Sequence, residues 1–495
     1  MVPPITRATY DVIVIGGGAV GENVADRTSQ GGLSTVIVEG ALVGGECSYW
    51  ACMPSKSLLR SAAAVAAARR VSGAAERVTE PGAGSRATVD VAATLRRRDG
   101  IASNWSDEGQ VQWLDTAGIA LVRGHGRLSG LREVTVTAAD GSTTVLTATH
   151  AVVLSTGSAA LLPDVPGLAG VTPWTSREAT SVQKVPDSIA IIGGGTVGTE
   201  MATAFVALGS RVTVIARSEL LGGQEPFAGA LVTTALEHGG ATVLAGATTS
   251  SARRTDAGDV ELTLDNGDTV TASEVLVATG RTPVTGDLGL TVVGLEPGDW
   301  LRVDDTMLVQ GESSALAGDW LYATGDVNRR ALLTHQGKYQ ARAAGDVIVA
   351  RAAGTPADTA PWGAHVATAD HSAVPQVTFT DPEVASVGLT AAGAVKAGYR
   401  VRILDHDLAA LGGASTLSDS YVGKARIIVD LDREVIIGAT FVGQDVAELL
   451  QSATIAIVGE VPIARLWHAV PSYPTLSEVW LRLLEAYGRP GYESH

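Results

Sequence analysis

Cysteine is almost missing from this sequence of 495 residues, which holds only Cys47 and Cys52. One pair cannot build a structural disulfide framework or a cysteine-rich metal site, and no metal ligation is expected. Basic residues are scarce too: 36 Lys and Arg face 52 Asp and Glu, a formal net charge of −16 at pH 7. Such a chain repels phosphate backbones and anionic lipid, and no dense basic run offsets the repulsion locally, so nucleic acid and membrane surfaces are not expected partners. Long apolar runs are also lacking, because Gly or charge interrupts every stretch before it reaches the roughly 20 residues that span a bilayer. The N-terminal MVPPITRATYDVIVIG enters a strand-like run without the separate basic, apolar and cleavage regions of a leader. A cytoplasmic location is the expectation.

What the chain does have is glycine, 58 residues of it, in an ordinary globular composition of 45% hydrophobic and 18% charged residues. At this length one core stops growing, so two to four domains are expected. The segment YDVIVIGGGAVGENVADRTSQGGLSTVIVEG reads as an apolar strand (Val12 to Ile15), a glycine turn, a helix and a second strand ending at Glu39. The same grammar returns in IAIIGGGTVGTEMATAFVALGSRVTVIARS, with strands Ile189 to Ile192 and Val212 to Ile215 around Gly193, Gly195 and Gly198. A single GxGxxG is weak in so glycine-rich a chain. Two copies, each between a strand and a helix, are specific.

At the first turn, Gly16, Gly18 and Gly21 let backbone approach a pyrophosphate at a helix N-terminus, where free N–H groups favour negative charge. Glu39, 23 residues after Gly16, is placed to accept hydrogen bonds from ribose hydroxyls. The corresponding residue of the second turn is Ala216, followed by Arg217, so the ribose carboxylate is replaced by a cation suited to a 2′-phosphate. That points to NADPH over NADH; an Arg left free in solvent is the alternative.

Between the units, LREVTVTAADGSTTVLTATHAVVLSTGS reads as alternating strands around an Asp140-Gly141 turn, a small antiparallel insertion. Gly73 to Ser85 reads as an exposed connection. After Pro361, short strands mix with helices, as in VGKARIIVDLDREVIIGATFVG and VAELLQSATIAIVG, which indicates a third, α+β domain.

GGECSYWACMPSK, Gly44 to Lys56, resembles the active-site signature of class I pyridine nucleotide-disulfide oxidoreductases such as dihydrolipoamide dehydrogenase, glutathione reductase and mercuric reductase. A dithiol at a helix start gains thiolate stabilisation from the helix N-terminus, and Lys56 adds positive charge. The resemblance implies FAD and a nicotinamide cofactor, with Gly45 at the cofactor, Cys47 as interchange thiol and Cys52 facing the flavin. Ala51 departs from the family's usual Gly. VLSTGSAALLPDVPG, with Gly157, and LVATGRTP, with Gly280, resemble the family's crossings between its FAD and NAD(P) domains. LYATGDV sets Gly325 and Asp326 at the ribityl chain and pyrophosphate, and LTHQGKYQAR opens a helix with Thr334 and His335 toward the flavin. Glu200 is implied to pair with Lys56, while Thr196 stands where the family often has an aromatic gate.

HAVPSYPTLSEVW resembles the family's C-terminal signature, in which a His and a Glu from the second subunit act as base and orienter. Glu478 is kept, Tyr473 stands at the His position, and His468 reads as structural. A phenol is a weaker base than imidazole near neutral pH, which favours electron flow from NAD(P)H outward to an acceptor over dithiol oxidation. NWSDEGQVQW falls where the family's disulfide-pocket helix lies, and there Asp107 and Glu108 are expected to disfavour polyanionic disulfides; carboxylates that simply face water are the alternative.

The expectation is therefore an α/β protein with two Rossmann-like nucleotide-binding domains and a C-terminal α+β dimerisation domain. The boundaries are FAD-binding 1–157 and 284–360, NAD(P)-binding 158–283 and interface 361–495, assembled as a homodimer. Its chemistry is passage of electrons from NAD(P)H through FAD to the Cys47–Cys52 disulfide and on to a disulfide or other small-molecule acceptor. The alternative is a flavin-centred reductase of quinones or metal ions, or a transhydrogenase, with the dithiol secondary. A redox-sensing or scaffolding flavoprotein is a third reading, disfavoured by the joint presence of Cys47, Cys52, Lys56 and Glu200.

Overall fold

The computed structural model describes residues 8–78 and 86–489. Two compact units emerge, each assembled from three separate stretches of chain. The first comprises Met1–Pro54, Asp99–Ala160 and Arg281–Asp370. The second comprises Ser55–Arg98, Leu161–Gly280 and His371–His495.

In the first unit, strands Ala120–Arg123, Thr35–Glu39, Thr9–Ile15 and Thr143–Leu154 lie side by side in that order, and Leu321–Ala323 pairs in parallel with the last. Val12, Ile13 and Val14 are fully buried, which is why this strand reads as an unbroken apolar run: both faces of a parallel sheet are covered. Helices Ala19–Gln30 and Thr334–Ala352 pack on it, and their approach depends on glycine. A Cβ on Gly337 would lie 2.6 Å from Val20, and one on Gly345 would lie 2.5 Å from Arg27.

The hairpin around Asp140-Gly141 forms as expected, between Glu133–Thr137 and the strand Thr143–Leu154. It is not a separate insertion. The second strand runs on into the central sheet, pairing with Glu133–Thr137 through its first half and with Thr9–Ile15 through its second. Of the connection read at Gly73 to Ser85, Ala75–Arg77 forms a short 3-10 turn and residues 79–85 lie outside the described residues.

In the second unit a parallel sheet runs in the order Thr242–Ala245, Arg211–Ala216, Ser188–Ile192, Glu274–Val277, with helices Thr196–Ala207 and Pro226–His238 in the crossovers. A three-stranded antiparallel sheet, Thr249–Arg254, Val260–Leu264 and Thr269–Ala272, covers one side through Leu262 and Leu264. The α+β region predicted after Pro361 is a five-stranded antiparallel sheet in the order Gln376–Thr378, Glu383–Gly388, Val435–Gly443, Lys424–Asp430, Val401–Asp407. All nine residues of Val435–Gly443 are buried, which marks it as the centre of that sheet.

Candidate functional site

The two glycine turns share one geometry. Gly16 and Gly193 have φ of +102° and +124°, and a Cβ would sit 2.4 Å from Ser155 O in the first and 2.2 Å from Ala278 O in the second. Gly21 and Gly198 press on the carbonyls of Gly16 and Gly193, where a Cβ would lie 1.9 and 2.0 Å away. Only glycine satisfies both demands, and the result is a helix N-terminus with exposed N–H groups beside a tight turn. Gly18 and Gly195 cap these helices in extended conformation with no side-chain cap of their own.

The ends of the second strands differ in one respect. At the first turn a Cβ on Gly17 would meet Glu39 Cβ at 3.2 Å; at the second, one on Gly194 would meet Ala216 Cβ at 2.9 Å, so Glu39 and Ala216 are geometric counterparts. Glu39 accepts hydrogen bonds from Gly17 N at 2.6 Å and Ala41 N at 2.7 Å, which fixes its carboxylate at the mouth of the turn. Ala216 is buried and offers nothing polar, and Arg217 beyond it is exposed, with no partner among the described residues. The first cradle thus presents a carboxylate and the second a free guanidinium.

The dithiol segment docks directly on the first cradle. Gly44 and Gly45 both take positive φ, Gly18 and Gly44 form a bridge, and a Cβ on Gly45 would lie 2.8 Å from Gly18 Cα. Cys47 lies in the short helix Gly45–Tyr49 and Cys52 opens the helix Cys52–Arg69, so the dithiol straddles a helix break at Trp50 and Ala51 instead of sharing one helix start. Neither cysteine forms a disulfide, and the two thiols are half-buried and hydrogen-bonded to each other. Thr334, the first residue of Thr334–Ala352, places its hydroxyl 3.4 Å from Cys52 Sγ. The hydrogen bond to Cys52, then burial and the Cys52 charge, push the Cys47 thiol well above the ordinary range, against weaker opposing pulls from Thr334 and Lys338.

Asp326 accepts a hydrogen bond from Ser158 Oγ at 2.5 Å, and Arg281 donates to the same Oγ at 2.8 Å. Gly325, with φ of +77°, donates its N–H to Gln340 at 2.9 Å. Gly157 and Gly280 also take positive φ, flanking the paired segments Ser158–Ala160 and Arg281–Pro283. This glycine cradle, with the carboxylates of Glu39 and Asp326 at its edges, fits a dinucleotide such as FAD, since no side chain could occupy the space the turns leave.

In the second unit Lys56 Nζ and Glu200 Oε2 form an ion pair at 2.7 Å. Glu200 is nearly fully buried, and its other oxygen accepts from Phe379 N at 2.9 Å. Phe379 also carries its ring under Lys56, 5.1 Å from centroid to Nζ. Nothing in the sequence marked Phe379, because its partners lie far away along the chain. Thr196 is tied to Thr378 by hydroxyls 3.2 Å apart.

Among the described residues no hydrogen bond joins Tyr473 to Glu478. Tyr473 is 77% exposed, rests on Gly412 and has no hydrogen bond among the described residues. Glu478 is buried, with one oxygen held by Arg482 at 2.8 Å and the other without a hydrogen-bond partner among the described residues. Asp107 gives its carboxylate to Arg123 at 2.5 Å and Val43 N at 2.8 Å, so its charge is matched within the protein, and Glu108 is exposed and faces water, the alternative the sequence left open.

Glu22, which the sequence did not single out, lies one turn into Ala19–Gln30 with Oε1 buried and without a hydrogen-bond partner among the described residues. Burial pushes its carboxyl up to about 7, partly countered by Lys338 and reinforced by Glu39. Among the described residues no cluster of His, Cys, Asp and Glu could hold a metal, and no helix is long and apolar enough to cross a membrane.

Residues 10–347 match the family described as pyridine nucleotide-disulphide oxidoreductase, and residues 374–483 match the dimerisation domain of that family. The chain is 33% identical to a dihydrolipoyl dehydrogenase of Chlorobaculum tepidum over 95% of both chains. It is 32% identical to a mercuric reductase of Streptomyces lividans, covering 95% of this chain and 94% of the relative. Among solved structures, the HOCl-induced flavoprotein disulfide reductase RclA of Escherichia coli, as its Cu(II) complex, superposes with a TM-score of 0.79 at 20% identity. It is covered over 99% of its chain by 96% of this one. LpdA of Mycobacterium tuberculosis superposes with a TM-score of 0.78 at 24% identity and the same coverage. Both share the fold.

Proposed function

The chain belongs to the pyridine nucleotide-disulphide oxidoreductase family, and from that premise we propose that it draws hydride from NADPH and passes an electron pair through Cys52 and Cys47 to a small-molecule acceptor. It is an FAD-dependent pyridine nucleotide-disulfide oxidoreductase. FAD, when bound, supplies hydride acceptance and delivery of an electron pair to the disulfide. The protein's part is placement. Glu39 and Asp326 take the hydroxyl-bearing portions of the cofactor, and the glycine turn at Gly16, Gly18 and Gly21 takes its pyrophosphate. Cys52, beside the Thr334 hydroxyl, is the flavin-side thiol. Cys47 is the interchange thiol, and Lys56, held by Glu200, tunes hydride acceptance. Arg217 selects the 2′-phosphate.

The domain limits proposed are 1–157 and 284–360 for FAD, 158–283 for NAD(P) and 361–495 for the interface, with a homodimer built through the last. A cytoplasmic setting and an acceptor smaller than a protein complete this reading. The observation that carries it is the dithiol helix seated on the first nucleotide cradle through Gly45 and Gly18.

A second reading, flavin-centred reduction of quinones or metal ions with the dithiol secondary, is supported by the half-burial of both thiols and by the upward push that the Cys52 hydrogen bond and burial give the Cys47 thiol, both of which reduce the thiolate available for attack. Anaerobic NADPH titration followed by a panel of lipoamide, low-molecular-weight disulfides, quinones and metal ions separates the two. Disulfide reduction abolished in Cys47→Ser supports the first reading. Quinone or metal turnover that survives Cys47→Ser, with no disulfide turnover in the wild type, supports the second.

A further inference from the structure

Within the second unit, one helical turn beyond the Lys56–Glu200 pair, lies a cavity of about 500 Å³ that neither the dithiol nor the glycine turns use. Leu59, three residues after Lys56, and Thr203, three after Glu200, both line it, and Phe379 forms part of its wall while holding Glu200 and Lys56. Its volume falls in the range of about 300–1,000 Å³ typical of small-molecule sites. The space exists because side chains are small where helices meet: Ala62, Ala63 and Ala66 on one wall face Val206 and Ala235 on the other.

The polar groups define what would fit. Arg70 is the permanent cation of the lining, with the exposed His238 at its rim, and both Nη atoms of Arg70 are spent on Asp381, at 2.8 and 2.6 Å, with a further bond to Gln444 at 3.3 Å. That pair is neutral as a unit and gives no net attraction to an anion. Thr203 donates its hydroxyl proton to Thr199 O at 2.9 Å, and Thr88 donates to Ala207 O at 3.4 Å. A hydroxyl whose proton is committed can only accept from a ligand. We propose that this cavity is a binding site for a neutral, flat, largely apolar molecule of about two fused rings bearing a hydroxyl donor, a bicyclic phenol or hydroquinone.

Isothermal titration of the FAD-loaded protein with 2-naphthol tests the site, with naphthalene-2-sulfonate as the anionic counterpart of the same shape. Expected are saturable binding of 2-naphthol and binding of the sulfonate weaker by about tenfold or more. Ala63→Phe, which fills the cavity, should weaken 2-naphthol about tenfold or more. Thr203→Val, which removes the acceptor and nearly keeps the shape, should weaken it about threefold to tenfold, and it decides the matter if Ala63→Phe does not fold. No saturable binding at millimolar 2-naphthol, equal binding of the sulfonate, or affinity unchanged in the folded variants would each overturn the proposal.

Discussion

Arg217→Ala isolates the cofactor choice. Arg217 is exposed and has no partner among the described residues, so its loss should leave stability within about 0.5 kcal/mol. Its effect should fall on the ligand alone. A hydrogen bond to a charged group is worth about 1.5–3 kcal/mol, and an exposed guanidinium screened by salt belongs at the lower end. At 1.4 kcal/mol per factor of ten, that is about a tenfold change. Steady-state kinetics with both nucleotides should therefore show KM for NADPH rising about tenfold, with that for NADH changing less than about twofold, and the NADPH effect shrinking at high ionic strength. The converse change, Ala216→Glu, sets a carboxylate where Glu39 stands in the first turn and should move preference toward NADH. Equal effects of Arg217→Ala on both nucleotides, or a wild type that prefers NADH, would refute the reasoning.

Removal of Glu200 has a structural as well as a functional cost. Glu200→Ala strands Phe379 N–H in the interior and should lose about 1–3 kcal/mol in denaturant titration, whereas Glu200→Gln keeps an acceptor there and should lose less; equal losses would rule out the Phe379 contact as the cause. Glu22 supplies a pH signature. Because burial raises its folded pKa from 4.5 to about 7, the folded state binds the extra proton and stability is favoured below about pH 4.5, then lost as pH rises through 7. Glu22→Gln, neutral throughout, should flatten that decline and be more stable at pH 8 by on the order of 3 kcal/mol; an unchanged slope of Tm against pH between 5 and 8 would exclude Glu22 as its source. Tyr473→His should raise dihydrolipoamide oxidation by about 10²-fold, the scale of a positioned general base, measured against the reverse reaction. Fast native oxidation lost only in His468→Ala would transfer the base to His468.

The sequence by itself determined the two nucleotide cradles, since part of the constraint is local: a Cβ on Gly21 or Gly198 would clash with the carbonyl of Gly16 or Gly193 in the same turn, while Gly16 and Gly193 are pressed by Ser155 and Ala278 on the adjoining strands. It likewise determined the strands, whose apolar runs follow from burial on both faces, and the contrast between Glu39 and Ala216, which share one offset from their turns. The Lys56–Glu200 pair was legible only through family resemblance, because its members are 144 residues apart. Tertiary structure alone decided the rest. It broke the dithiol between two helices, ran the strand Thr143–Leu154 on from the hairpin into the central sheet, and placed Phe379 beneath Lys56. It also spent the charge of Asp107 on Arg123 and left Glu22 Oε1 without a hydrogen-bond partner among the described residues. Each of these depends on which groups a fold buries together, and desolvation and pairing across distant segments leave no periodicity or spacing in the chain to be read.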